Sequence, residues 1–166
     1  LVILGIDPGL ANTGWGVVER VGSRFRCLAF GCIDTPSSAP LPERLAKIHD
    51  ELRAVVSRYE PATCAIESVF FSSNAKTAFS TGQARGAAIV ATVGIGTELG
   101  EYGPGEIKMA VTGNGSADKH QVQYMVRTVL GLNEEPEPEH AADALAVAIC
   151  HAHSRKARML ERKAMR

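Results

Sequence analysis

Leu1-Val2-Ile3-Leu4-Gly5-Ile6-Asp7-Pro8-Gly9 is the stretch from which the fold is read. Residues 1–6 are a short, unbroken apolar run with several β-branched side chains, the texture of a strand buried on both faces. Burial explains the run but not Asp7. An acid followed by Pro-Gly puts charge where the chain leaves the core and holds it on a stiff turn. Asn12-Thr13-Gly14-Trp15-Gly16-Val17-Val18 then feeds a second strand. Strand, acid, tight turn, strand is a way for a sheet to offer one carboxylate to a metal or a phosphate. A solvated Asp in an Asp-Pro-Gly turn has the same local sequence, so other acids in matching positions decide between the two.

Thr63-Cys64-Ala65-Ile66-Glu67 repeats the pattern, a short apolar run that ends on an acid. A carboxylate at the end of a buried strand is costly unless it is paired or binds a metal. Further on, His140-Ala141-Ala142-Asp143-Ala144-Leu145-Ala146-Val147-Ala148-Ile149 reads as an Ala-rich helix. His140 and Asp143, three apart, share a face of its first turn. Each residue has an innocent account: a strand-end charge, a neighbour of a cap, an acid favoured by the helix dipole. Together, Asp7, Glu67, His140 and Asp143 are expected to form a shared metal site.

The remaining elements follow from periodicity. Residues 1–6, 14–21 and 24–32 read as strands, the last two joined as a hairpin through Gly22-Ser23. Leu41, Leu45, Ile48, Leu52, Val55 and Tyr59 recur at helical spacing after Pro40 and Pro42. Strands are expected at 63–66 and near 97–102, with a helix rich in Ala and Gly over 75–93. Val122, Met125, Val126 and Val129 predict a further helix, with Ser116 as its N-cap and Gly131 past its end. This order makes a layered α/β domain.

These residues resemble the RuvC family of Holliday-junction resolvases, within the ribonuclease H-like superfamily. Gly5-Ile6-Asp7-Pro8-Gly9 with Thr13-Gly14-Trp15-Gly16 is similar to the family's opening block. Ala65-Ile66-Glu67 with Val69-Phe70 and Asn74-Ala75 resembles the second block, and Gly82-Gln83-Ala84-Arg85-Gly86 the third. Lys108, Gly113-Asn114-Gly115-Ser116-Ala117-Asp118-Lys119 and Gln121-Val122-Gln123 resemble the fourth, and His140-Ala141-Ala142-Asp143-Ala144 the fifth. The resemblance implies a mixed five-stranded sheet flanked by helices on both faces, and a homodimer that cuts four-way junction DNA. It also implies paired symmetric nicks leaving 5′-phosphate and 3′-hydroxyl ends, and association with the junction-migrating helicase complex of RuvA and RuvB.

Phosphodiester hydrolysis explains why such a site needs clustered acids. Two Mg²⁺ ions can activate the water and stabilise the leaving oxygen in one in-line displacement. Hard oxygen ligands suit Mg²⁺. Asp7, central on its strand, is the candidate to bridge both ions, with Glu67 and Asp143 serving one each. Some relatives carry Asp where this chain has His140. The imidazole suits Mn²⁺ as well, and either ligates metal or positions the attacking water as general base. DNA contacts are expected from Lys108 and Lys119 in the Gly-rich stretch before a later helix, and from Arg85 on the small-residue helix. Phe70 and Phe71 sit in a polar stretch after Glu67, where one aromatic is available to stack on an unpaired base.

Composition is compatible with this reading. The 166 residues suit one domain, and 18 basic residues balance 18 acidic ones. Residues 1–152 are read as the nuclease domain. Residues 153–166 are a basic C-terminal tail, disordered or acting as a nucleic-acid arm. The acidic run Glu134-Glu135-Pro136-Glu137-Pro138-Glu139 reads as a solvated loop. Four cysteines without Cys-x-x-Cys spacing suggest neither a zinc site nor disulfides. No signal peptide or bilayer-spanning stretch is read, so a cytoplasmic location away from membranes is expected. Two other functions are compatible with parts of the pattern: a non-catalytic junction-binding module with the same fold, and an actin-like phosphotransferase fragment. The second would need a duplicated domain, for which the chain is too short.

Overall fold

The computed structural model describes residues 1–68, 75–93 and 98–164, with only the backbone described for 75, 76 and 156–164. In chain order the elements are β1 (Val2–Asp7), β2 (Asn12–Val21), β3 (Arg24–Asp34), α1 (Leu41–Tyr59), β4 (Thr63–Glu67), α2 (Ala75–Val93), β5 (Glu98–Tyr102), α3 (Pro104–Thr112), α4 (Lys119–Leu130) and α5 (Glu139–Ala164). The strands form one mixed sheet in the order β3-β2-β1-β4-β5. β1 pairs antiparallel with β2 and parallel with β4, so the opening strand is central, as its unbroken apolar run predicts.

Alternation along each strand divides the interior into two cores, one on either face of the sheet. Leu4, Ile6, Cys64 and Ile66 pack with Ile48, Leu52 and Val56 of α1 and Ala84, Ala88 and Ala91 of α2. Ile3 and Ala65 face the other way, into a cluster with Ile107, Val126, Leu145 and Ile149 from α3, α4 and α5. Helices therefore cover both faces, as the resemblance implied.

α5 lies unusually close to the strands, and small residues on both sides allow it. Ala141, Ala144 and Ala148 are fully buried on its inner face. On the sheet, a Cβ at Gly5 would stand 2.6 Å from the Ala148 amide nitrogen, and one at Gly16 would stand 2.7 Å from the Leu145 side chain. One at Gly14 would overlap the His140 carbonyl. Further along, His151 is buried and joins α5 to two strands. Its ring nitrogens lie 2.8 Å from Thr63 Oγ1 and 2.8 Å from the Tyr102 hydroxyl. Thr63 Oγ1 donates to the Glu98 carbonyl at 3.0 Å, so it accepts from His151 Nε2 and the tyrosine donates to Nδ1.

Several boundaries differ from the sequence reading. β1 and β4 each extend one residue to include the acid. α3 has no counterpart among the elements read from periodicity: it is only nine residues long and starts at Pro104, too short to show a clear apolar period. α4 is capped by Asp118 rather than Ser116. The Asp118 carboxylate accepts from the Gln121 amide and the Gln121 side chain accepts from the Asp118 amide, both at 2.9 Å, a capping box that Ser116 cannot form from its position. Gly131 does end that helix, in the left-handed conformation that glycine adopts without strain. The backbone of α5 runs on as far as Ala164. Cys64 and Cys150 are buried core residues, and no disulfide joins any of the four cysteines. Among the described residues, no helix is long and apolar enough to cross a membrane.

Candidate active site

Asp7 and Glu67 end adjacent parallel strands whose register pairs Ile6 with Ile66. The next residue on each strand therefore stands at the same level of the sheet. Both acids point to the face that α5 covers, continuing the rows Ile3–Gly5–Asp7 and Thr63–Ala65–Glu67. The close seating of α5 over Gly5 and Gly14 brings its first turn across these strand ends. His140 Nδ1 lies 2.8 Å from Asp7 Oδ2. Ligand atoms of Asp7, His140 and Asp143 all fall within 4.8 Å of one another. With Nδ1 donating to Asp7, Nε2 carries the lone pair of the neutral His140 ring.

The site is too acidic to be comfortable by itself. Burial, followed by the charges of Asp7 and Asp143, pushes the Glu67 carboxyl up to about 7. Asp143 is also raised, by burial and then by Asp7, with Lys119 opposing. His140 is raised as well, chiefly by its hydrogen bond to Asp7. Protons are held more tightly here than in water because negative charge is crowded into a half-buried place. A divalent cation would relieve the same strain. Asp7, Asp143 and the His140 imidazole, which Asp7 orients, are a donor set that fits Mg²⁺ or Mn²⁺, with Glu67 beside them.

Lys108 and Lys119 adjoin the cluster. They line a cavity of about 190 Å³ together with Glu67, Asp143, Ile107 and Val122. They do not lie in one Gly-rich stretch: Lys108 is on α3 and Lys119 is the first residue of α4. Lys119 Nζ is 3.2 Å from Asp143 Oδ2 and is also ion-paired with Glu139. Glu139, read from sequence as part of a solvated loop, is thus the first residue of α5 and a neighbour of the site. Its spacing of four from Asp143 was the available signal. Arg85 is not gathered with these groups. It projects from α2, which covers the opposite face of the sheet, and its guanidinium pairs with Glu101 of β5. Phe70 and Phe71 lie outside the described residues.

Known proteins of similar sequence and structure identify the family of the chain. The family model described as crossover junction endodeoxyribonuclease RuvC matches residues 3–151. The chain is 49% identical over 154 residues to that enzyme of Alkaliphilus oremlandii, covering 93% of this chain and 94% of the relative. It is 51% identical over 151 residues to the Chloroflexus aggregans protein, covering 91% and 92% respectively. Thermus thermophilus RuvC in complex with Holliday junction substrate superposes with a TM-score of 0.89 at 39% identity, covering 95% of this chain and 96% of that one. The yeast mitochondrial Holliday junction resolvase, at 12% identity and a TM-score of 0.63 over 93% of this chain and 83% of that one, shares the fold. The chain belongs to the RuvC family of crossover junction endodeoxyribonucleases.

Proposed function

We propose that this protein resolves four-way DNA junctions by paired symmetric nicks, hydrolysing one phosphodiester in each of two strands to leave 5′-phosphate and 3′-hydroxyl ends. The observation that carries this reading is the convergence of Asp7, Glu67, His140 and Asp143 at the ends of β1 and β4 and the start of α5. In this reading these four residues hold two Mg²⁺ ions, with Mn²⁺ accepted. The ions would supply an activated water and stabilisation of the leaving oxygen. Asp7 contributes a carboxylate central to the cluster and orients the His140 ring through Nδ1. His140 Nε2 then faces either a metal or the proton of the attacking water. Lys108 and Lys119 place positive charge on the adjoining cavity, where a phosphate can be held. Phe70, Phe71 and Arg85 complete the proposed DNA contacts.

Two symmetric nicks call for two sites related by a twofold axis, hence a homodimer. The outer face of α2 supports this arrangement. Phe79 is 71% exposed and Val90 61% exposed, with Val93 beyond them at helical spacing, and Gly82 and Gly86 have open space above them. Such a stripe of apolar and small residues suits a close helix contact with a second copy. Residues 1–152 are the nuclease unit in this proposal, working in the cytoplasm with RuvA and RuvB, and the basic residues between 155 and 163 lie along α5. A synthetic four-way junction with labelled arms tests the reading. Mg²⁺-dependent nicks at symmetric positions, religatable because of their end chemistry, are expected. Binding without nicking under Mg²⁺ or Mn²⁺ would return the protein to a non-catalytic binding module.

A further inference from the structure

Lys119 sits beside the acids read as metal ligands. As the first residue of α4 it is fixed by the capping box of Asp118 and Gln121. Its ammonium is 3.2 Å from Asp143 Oδ2 and ion-paired with Glu139, so one cation spans two acids on consecutive turns of α5. The two acids are not equivalent. The Asp143 side chain is 26% exposed and belongs to the ligand cluster with Asp7 and His140. Glu139 is 54% exposed and stands outside that cluster.

We propose that Lys119 and a divalent ion compete for the Asp143 carboxylate, and that Glu139 is the positioning residue that takes over Lys119 when the ion binds. This inference rests on the reading of Asp143 as a metal ligand. Two cations on one carboxylate repel each other, so the ammonium must leave Asp143 as the ion arrives. Without another partner it would move into water and lose its ion pair, and the metal would have to offset that loss. Glu139 reduces the loss because Lys119 already touches it. The ammonium shifts along one helical turn and exchanges a shared pair for a single one. Lys119 would therefore weaken metal binding, and Glu139 would limit how much.

Calorimetric titration of Mn²⁺ into the full chain, without DNA, tests this without reading activity. Lys119→Gln is expected to bind Mn²⁺ at least about tenfold more tightly, the lower end of the scale for removing one unit charge a few ångström from a dication. Glu139→Gln is expected to bind several-fold more weakly, because Lys119 then stays on Asp143. That weakening should vanish in the double variant, where there is no lysine to reposition. If the Glu139→Gln loss persists in full in the double variant, Glu139 acts only through its long-range charge and the proposal fails. It fails equally if Lys119→Gln binds no more tightly than the wild type. Absence of any Mn²⁺ binding that Asp143→Asn abolishes would instead overturn the metal reading of Asp143. Thermal melts establish that each variant folds, and Lys119→Met and Glu139→Ala replace any that does not.

Discussion

Gly14→Ala probes the contact on which the site depends, the seating of α5 on the sheet. A Cβ at Gly14 would overlap the carbonyl group of His140 and stand 3.0 Å from its Cβ, whereas ordinary contact starts at 3.4 Å. The obstruction is helix backbone, which cannot rotate aside as a flexible side chain can. The first turn of α5 must retreat by on the order of 1 Å to restore contact distances. His140 Nδ1 is 2.8 Å from Asp7 Oδ2, so the same retreat stretches that hydrogen bond past its useful range. Overpacking of this kind costs about 1–3 kcal/mol. For a domain of this size the melting temperature should fall by roughly 2–12 °C. Displacing His140 and Asp143 together should lower the nicking rate by about 10²-fold, the scale associated with a 1 Å misplacement of catalytic groups. The assay pairs a thermal melt with single-turnover junction cleavage. Gly105→Ala is the control, because an added Cβ there meets nothing within 4 Å and it should leave both readouts near wild type. A Gly14→Ala protein with wild-type melting and cleavage would refute the reasoning.

Three further outcomes are expected. His140→Ala should cripple nicking while His140→Asp retains it, because a carboxylate can replace the imidazole as ligand; full activity of His140→Ala under both Mg²⁺ and Mn²⁺ would make the residue a bystander. In chelator, thermal stability should fall as pH rises from 4.5 toward 7, because Glu67 is raised from 4.5 to about 7 and the folded chain therefore binds its proton more tightly than the unfolded chain. The raised Asp143 and His140 act with the same sign, each adding stability at lower pH that is lost as pH rises through its folded value. Added Mg²⁺ should raise the melting temperature more at pH 8 than at pH 5, since metal and protons compete; Glu67→Gln should flatten the chelator profile, and a profile that rises with pH would contradict the crowding of charge described above. Phe79→Glu, on the exposed face of α2, should shift the protein from dimer to monomer in sedimentation analysis and abolish paired nicks; an unchanged dimer would place the twofold contact elsewhere.

The parts of this molecule legible in its sequence are those where a residue contradicts its surroundings. Asp7 and Glu67 stand out because acids end apolar strands, and His140 and Asp143 because they interrupt an alanine helix. Their convergence required knowing that β1 and β4 are neighbours, which periodicity does not tell and family resemblance did. What escaped was short-range or tertiary. α3 has nine residues, too few for a helical period to emerge. Ser116 and Asp118 are both good cap residues, and the reciprocal Gln121 decides for Asp118. Glu139 looked like the end of a proline-broken acidic loop, and its meaning comes from a lysine twenty residues earlier that α4 brings to it. The Thr63–His151–Tyr102 network has no sequence pattern at all, because it is formed by packing one helix across two strands.

The central claim is that Asp7, Glu67, His140 and Asp143 act together on bound metal to cut junction DNA. Asp7→Asn tests it most directly, since the change keeps shape and removes one charge from the middle of the cluster. Junction affinity by gel shift and nicking by the same preparation should separate. The account predicts binding close to wild type with cleavage abolished, at saturating Mg²⁺ as at limiting Mg²⁺. Strong nicking by Asp7→Asn at saturating Mg²⁺ would contradict it.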